Sequence, residues 1–327
     1  MAAAQQQAPT TDLPPHSAPG GHAASGAITD TADLRGHTIL LATDGSPESD
    51  AAARVTAALA SARGAHPVAA RAFNPAPLVL PMAIPSVAAS ADLLLGYGAV
   101  EVAKREVQAD LLRALQEPAD WPVRVAAGMQ GAVIIDIARE TGAALVVMGL
   151  RPRSVLRRAA REQTVLRVLR DAEVPVLATT VDLVEQPQRI VVGVDFGRAG
   201  LCAARAALAV LADGGMILLT YVQPRQYPRS EDNEGIGVIH AQGVAGAFAR
   251  LREELAAPAS VRVETAVLEG DPSAELAALA DRAMAHAIAV GSRRHALVDR
   301  LVLGSVTADL AHRADRSLLV VPPRAKR

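Results

Sequence analysis

The feature that most constrains this chain is a series of short apolar runs that occurs twice. Each run of about four to eight residues suits a strand buried in a parallel sheet. Asp44 and Asp195 follow the first run of each series, and Gly149 and Gly291 follow the fourth. This repetition predicts a tandem duplication. The strands are predicted over residues 38–43, 67–73, 123–127, 144–148 and 174–180, and again over 189–194, 216–222, 261–268, 287–290 and 318–321.

Helical segments separate these runs, so each half is predicted to be α/β, with right-handed crossovers and helices on both faces of a parallel sheet. Ser46 is a good N-cap and Pro47 a good first helical residue. Gly270-Asp-Pro272 is predicted to open a later helix. Further helices are predicted over residues 97–116, 132–140, 162–170 and 243–255. The prolines between Asn74 and Gly96 predict a long loop, which we expect to lie over the carboxyl edge of the first sheet.

The predicted boundaries divide the chain into four parts. Residues 1–35 lack a hydrophobic period that could bury a face, which predicts a disordered tail. The first domain covers residues 36–181, a linker covers 182–188, and the second domain covers 189–327. We expect the last strands of the two domains to pack together, because exposed apolar edge strands are normally covered or paired.

The loop after the fourth strand of the second half has the features of an anion site. Gly291 ends the strand, and the loop that follows is basic up to Gly304-Ser305, which opens an amphipathic segment. A helix presents free N–H groups and the positive end of its dipole at its first turn. This stretch is therefore a candidate phosphate loop.

The spacing of this loop resembles that of the universal stress protein family. That family reads Gly, two residues, Gly, nine residues, Gly and Ser or Thr; here Gly291 and Gly304-Ser305 match it, and Arg294 stands at the second Gly. The resemblance implies two tandem Rossmann-like domains, each with strand order 3-2-1-4-5, that form an internal pseudo-dimer. Ligands of such open sheets bind beyond the strand carboxyl ends, where the strand order reverses.

The resemblance also implies a site for an adenine nucleotide, ATP with Mg²⁺, in the C-terminal half. Asp195 matches the acidic residue after the first strand, and Val222 matches the second-strand position whose backbone meets adenine. Asp195 has another interpretation, since Asp often caps its own turn. For Arg294 three roles stay open: it clamps the phosphates, it fills the pocket, or it points into solvent.

The N-terminal half keeps less of this pattern. Asp44 and Gly149 match the family, but Pro152 replaces the second Gly, and Glu162-Gln163 replaces the Gly-Ser pair. A carboxylate at a helix N-terminus favours the helix but would repel a polyphosphate. We therefore expect only the C-terminal half to bind nucleotide.

Composition narrows the function further. The formal net charge of −1 gives no reason to expect nucleic acid or an anionic membrane as a partner. A single cysteine, Cys202, and the lack of an apolar span or export signal predict a cytoplasmic protein.

No nucleophile-and-base pair or metal-ligand spacing stands out, so an enzyme is not expected, although weak ATPase activity stays open. The sequence predicts a nucleotide-responsive regulator of the stress response. The alternative is a nucleotide-free scaffold of the same fold that acts through an unidentified protein partner. A homodimer of the whole chain also stays open.

Overall fold

A computed structural model of the chain describes residues 33–73, 85–151, 161–224, 234–292, 304–313 and 315–322. The first half contains β1 (Thr38–Ala42), α1 (Pro47–Arg63), β2 (His66–Phe73), α2 (Pro85–Leu115), β3 (Val123–Ala127), α3 (Gln130–Glu140), β4 (Ala143–Gly149), α4 (Arg161–Asp171) and β5 (Val176–Thr179). The second half contains β6 (Arg189–Gly193), α5 (Arg198–Val210), β7 (Met216–Gln223), α6 (Glu234–Leu255), β8 (Arg262–Glu269), α7 (Pro272–Arg282), β9 (Ala287–Gly291), α8 (Ser305–Arg313) and β10 (Ser317–Val321).

The described strands form one sheet of ten strands, in the order β3-β2-β1-β4-β5-β10-β9-β6-β7-β8. All pairs are parallel except β5 with β10, which is antiparallel. Each half therefore has the order 3-2-1-4-5, and the α/β prediction with its strand order is confirmed.

The two halves meet through their last strands, as the sequence predicted. Leu319 of β10 lies opposite Leu177 of β5 in the antiparallel register. At the end of this pairing the Thr180 N–H donates to the Ser317 hydroxyl over 3.0 Å, and the two hydroxyls lie 3.2 Å apart. All four residues are buried, so the junction is part of the core.

The core forms one layer on each face of the sheet. On one face buried residues of α1, α2, α5 and α6 pack together, for example Val55, Leu111, Val210 and Leu251. On the other face α3, α4, α7 and α8 contribute Ile134, Val168, Leu276 and Leu310. Each layer extends across both halves, and it consists mostly of Ala, Val, Leu and Ile, in a chain with only 2% aromatic residues.

Helix starts follow the local sequence. Ser46 caps α1 by accepting the Ser49 N–H over 3.3 Å, and Pro47 is the first helical residue. Asp271 caps α7 by accepting the Ala274 N–H over 2.9 Å, and Pro272 follows it. The Ser46 cap and the start of a helix at Gly270-Asp-Pro272 were predicted, and each cap satisfies N–H groups that the first turn leaves unpaired.

Two helices are longer than the sequence predicted. The segment from Asn74 to Gly96 was predicted to be a loop, but α2 already begins at Pro85. Proline is compatible with a first helical turn, and Ala- and Leu-rich sequence follows it. The rest of that predicted loop, residues 74–84, lies outside the described residues. Similarly, α6 begins at Glu234 and not near Gly243, since its glycines weaken a helix without ending it.

None of the helices in the described part of the chain is both long enough and apolar enough to cross a membrane.

Candidate functional site

The strand order of each sheet reverses beside its first strand. In the C-terminal half β6 lies between β7 and β9, with Gly193 opposite Thr220 on one side and Val290 on the other. The residues that follow on the three strands therefore reach the carboxyl edge together. This register brings Asp195, Val222 and Gly291 to the same edge of the sheet, at the crevice where the strand order reverses.

Both acidic residues after the first strands accept hydrogen bonds within their own turns. Oδ1 of Asp195 accepts the Gly197 N–H over 3.0 Å. Oδ1 of Asp44 accepts the Ser46 N–H over 3.1 Å and the Ser49 hydroxyl over 2.7 Å. The turn-capping interpretation of Asp195 therefore describes its local geometry, and it leaves the carboxylate at the crevice.

Gly291 and Gly149 are required by helix packing. A Cβ on Gly291 would lie 2.5 Å from the carbonyl oxygen of Ala199, in the first turn of α5. A Cβ on Gly149 would lie 2.8 Å from the carbonyl carbon of Glu48, in the first turn of α1. Each glycine therefore lets a helix start directly against the end of the fourth strand of its half.

The first helical turn after the acidic residue carries different side chains in the two halves. The Arg151 guanidinium donates through Nε to the Glu48 carboxylate over 2.7 Å, and the Glu48 side chain is only 16% exposed. Counted from Asp44 and Asp195, Ala199 of the C-terminal half corresponds to Glu48 of the N-terminal half. In the same way, Gly200 corresponds to Ser49. The C-terminal crevice is therefore lined by smaller, uncharged residues at these two positions.

The backbone of Val222 faces the C-terminal crevice. Successive residues of a strand direct their N–H and C=O groups alternately to the two neighbouring strands. The Thr220 carbonyl accepts the Val194 N–H on the β6 side over 2.9 Å, and the Gln223 carbonyl accepts the Gly270 N–H on the β8 side over 3.0 Å. The N–H and C=O of Val222 therefore point towards β6, beyond its last residue, where no described backbone group bonds to them.

Gly304 and Ser305 lie at the start of α8, which packs against β10 and α7. Among the described residues, a Cβ on Gly304 would meet only the Thr307 hydroxyl, at 4.0 Å. The first N–H groups of α8 have no partner within the helix. Arg294 and Pro152 lie outside the described residues, and Glu162 falls in the first turn of α4.

The sequence analysis did not find an ion-pair network above β1 and β2. Arg71 of β2 pairs with Asp110 and, over 3.2 Å, with Glu106 of α2. Arg113 of α2 bonds to Asp110 over 2.7 Å and crosses to Asp50 of α1 over 2.8 Å. These hydrogen bonds, first that to Asp50 and then that to Asp110, raise the pKa of the Arg113 guanidinium above its usual value. Only the Asp110–Arg113 spacing gave a local signal.

The corresponding place in the C-terminal half holds an aromatic cluster, which the sequence analysis also missed. The Phe196 ring lies 4.8 Å from that of Tyr221 and 4.9 Å from that of Phe248, measured between centroids. Phe196 has a φ of 57° where the N-terminal half has Gly45, with a φ of 74°. The two halves therefore share a fold but differ in the chemistry of this edge.

Comparisons with known proteins agree with this architecture. The model of the universal stress protein family matches the chain twice, over residues 36–180 and 187–322. The chain belongs to the universal stress protein family, with two tandem domains. No curated protein sequence matches it.

Solved structures show the same fold over both halves. A universal stress protein from Archaeoglobus fulgidus is 21% identical, with a TM-score of 0.56, and the match covers 87% of this chain and 98% of that one. A putative universal stress protein from Pseudomonas aeruginosa is 18% identical, with a TM-score of 0.54, over 90% of this chain and 95% of that one.

Proposed function

We propose that the C-terminal half binds an adenine nucleotide, ATP with Mg²⁺, and that the chain is a nucleotide-responsive regulator of the stress response. ATP brings a polyphosphate whose negative charge needs N–H donors and cations around it. The proposal combines family membership with the difference between the two crevices.

The observation that carries the proposal is a difference in residue type between the first turn of α1, after Asp44, and the first turn of α5, after Asp195. In the N-terminal half the backbone and Cβ of Glu48 lie against Gly149, and its mostly buried carboxylate pairs with Arg151. In the C-terminal half Ala199 and Gly200 stand at the equivalent positions. A nucleotide entering the C-terminal crevice therefore meets no carboxylate at this position.

Two further features of the C-terminal half fit an adenine nucleotide. The N–H and C=O of Val222 supply one donor and one acceptor at the crevice, the pair that an adenine edge needs. The start of α8 at Gly304-Ser305 offers free N–H groups and the positive dipole end to phosphates. Arg294 is proposed as an added phosphate clamp, because a guanidinium can bond bidentately to phosphate.

Calorimetric titration with ATP and Mg²⁺ tests the proposal. We expect the wild-type chain to bind and Gly304→Glu to lose binding, because the new carboxylate would lie where a phosphate is expected. Gly98→Glu is the matched control, since Gly98 lies exposed on α2 and no described atom lies within 4 Å of a Cβ there. Its affinity for ATP should equal that of the wild type.

Arg294→Ala separates the roles of this residue. A clamp predicts that the substitution weakens ATP binding by about 1.5–3 kcal/mol, the value of a hydrogen bond to a charged group. A residue that fills the pocket predicts stronger binding instead. No detectable binding of ATP to the wild type would favour the nucleotide-free scaffold.

A further inference from the structure

A groove of about 350 Å³ lies between α5 and α6, on the face of the sheet that carries the aromatic cluster. Its volume is at the lower end of the range for small-molecule pockets. Its lining is apolar in the middle and charged at the rim. The apolar residues are Phe196, Leu201, Ala247 and Leu251, and the charged residues are Arg198, Arg250 and Glu254.

The internal duplication supplies a direct comparison for this groove. Arg54 of α1 donates to the Ala114 carbonyl of α2 over 3.4 Å, and Arg205 of α5 donates to the Glu254 carbonyl of α6 over 3.1 Å. Arg54 and Arg205 lie equally far along the chain from Asp44 and Asp195. These paired hydrogen bonds align α1 with α5 and α2 with α6, residue by residue.

In the N-terminal half an arginine closes the corresponding space. Arg113 reaches from α2 to Asp50 of α1 over 2.8 Å and to the Gly45 carbonyl over 3.1 Å. It also bonds to Asp110 of its own helix over 2.7 Å. The two helices are thereby bridged above the strand ends.

In the C-terminal half the residues that form this bridge between the two helices are replaced by others. The aligned residues are Leu201 for Asp50, Arg250 for Asp110 and Glu253 for Arg113. Within the described parts of α5 and α6, no ion pair joins the two helices. The same region therefore has an apolar floor and cations at its rim.

The aromatic wall of the groove is held in place from behind. Phe196 packs edge-on against Phe248 and at a tilt against Tyr221. Phe196 has a positive φ, which is unfavourable for a residue other than glycine, and its aromatic contacts help to offset this cost. The wall is thus a fixed surface onto which a flat ring can stack.

We propose that this groove binds a small amphipathic carboxylate. The apolar part would lie on Phe196, Leu201 and Leu251, and the carboxylate would bond to the guanidinium groups of Arg198 and Arg250. Glu254 at the same rim disfavours a ligand with several negative charges. The site is separate from the nucleotide crevice, because Ala199 turns its carbonyl to Gly291 while Arg198 and Leu201 line the groove.

Fluorescence titration with 2-naphthoate tests the proposal, and 2-naphthalenemethanol serves as the uncharged analogue. We expect saturable binding of the acid and about tenfold weaker binding of the alcohol, since only the acid can bond to the arginines as an anion. Equal affinities, or no saturable binding of millimolar naphthoate, would overturn the proposal. Neither outcome bears on ATP binding, which is measured separately.

Two variants locate the site. Arg250→Gln should weaken naphthoate binding about tenfold and leave the alcohol unchanged. Ala247→Phe should remove binding of both compounds by filling the groove. Arg262→Gln is the control, because Arg262 lies exposed on β8 outside the groove. If Ala247→Phe does not fold, the test rests on Arg250→Gln, which changes an exposed residue. Unchanged naphthoate affinity in Arg250→Gln would contradict the proposal.

Discussion

A Cβ on Gly291 would lie 2.5 Å from the carbonyl oxygen of Ala199, closer than any side chain tolerates. The first turn of α5 therefore rests directly on the end of β9. This contact explains the glycine without a ligand, although the family pattern associates the glycine with nucleotide. The same contact places Ala199 at the edge of the crevice.

The packing role of Gly291 predicts opposite effects of alanine at two glycines. Gly291→Ala should lower the free energy of unfolding by about 1–3 kcal/mol, because the added methyl group displaces α5. Gly98→Ala should raise it by about 0.5–1 kcal/mol, because Gly98 is helical and none of the described atoms lies within 4 Å of a Cβ there. Urea denaturation measures both. Equal effects would show that α5 does not rest on β9 as described.

The ion-pair network on α2 should contribute to stability because its central pair, Arg71 with Asp110, is mostly buried. The side chains of Arg71 and Asp110 are 11% and 14% exposed. Asp110→Ala should lower the free energy of unfolding by about 1–3 kcal/mol, since Arg71 and Arg113 both lose a charged partner. Asp136→Ala removes an equally spaced but exposed ion pair to Arg139 and should cost less than about 0.5 kcal/mol. A comparable loss in both variants would contradict this account.

The cap of α7 should make stability depend on pH in the acid range. Hydrogen bonds from the Ser273 hydroxyl and the Ala274 N–H lower the pKa of the Asp271 carboxyl. A carboxyl whose pKa is lower in the folded state than in the unfolded state stabilises the protein at pH values above its unfolded pKa. This contribution is lost as the pH falls through the folded pKa. At neutral pH Asp271→Ala should cost about 0.5–2 kcal/mol, and the difference from the wild type should shrink below pH about 4.

Asp271→Asn is the matched control for this titration. Asparagine caps helices about as well as aspartate but does not ionise. Its stability at neutral pH should lie within a few tenths of a kcal/mol of the wild type. Urea denaturation at neutral and acid pH compares the three proteins, and an Asp271→Ala difference that stays constant with pH would refute the assignment.

The sequence predicted the fold well because its signals are local and occur twice. The apolar runs before Asp44 and Asp195 mark the first strands, Ser46 caps α1 as predicted, and α7 begins where Gly270-Asp-Pro272 indicated. Proline was the misleading signal: Pro85 suggested a loop, yet it begins α2. A proline in a first helical turn and one in a loop look alike without tertiary context.

The candidate site could be predicted only in part. The resemblance to the family predicted Asp195, Val222 and Gly291 as residues of one site, but it did not predict the packing of Gly291 against Ala199. The cluster of Phe196, Tyr221 and Phe248 joins residues distant in sequence, and no periodicity relates them. The same holds for the ion pair between Arg113 and Asp50, because it depends on how two helices cross.

The difference between the two halves is the central claim, and the stoichiometry of ATP binding tests it most directly. Calorimetric titration with Mg²⁺ present should give one ATP per chain, and Glu48→Ala should leave that value unchanged, because Glu162 stays at the start of α4. Ala199→Glu should remove binding, since it introduces the carboxylate that the N-terminal half carries and accommodates at the equivalent position. Two ATP per chain, or full binding to Ala199→Glu, would contradict the account.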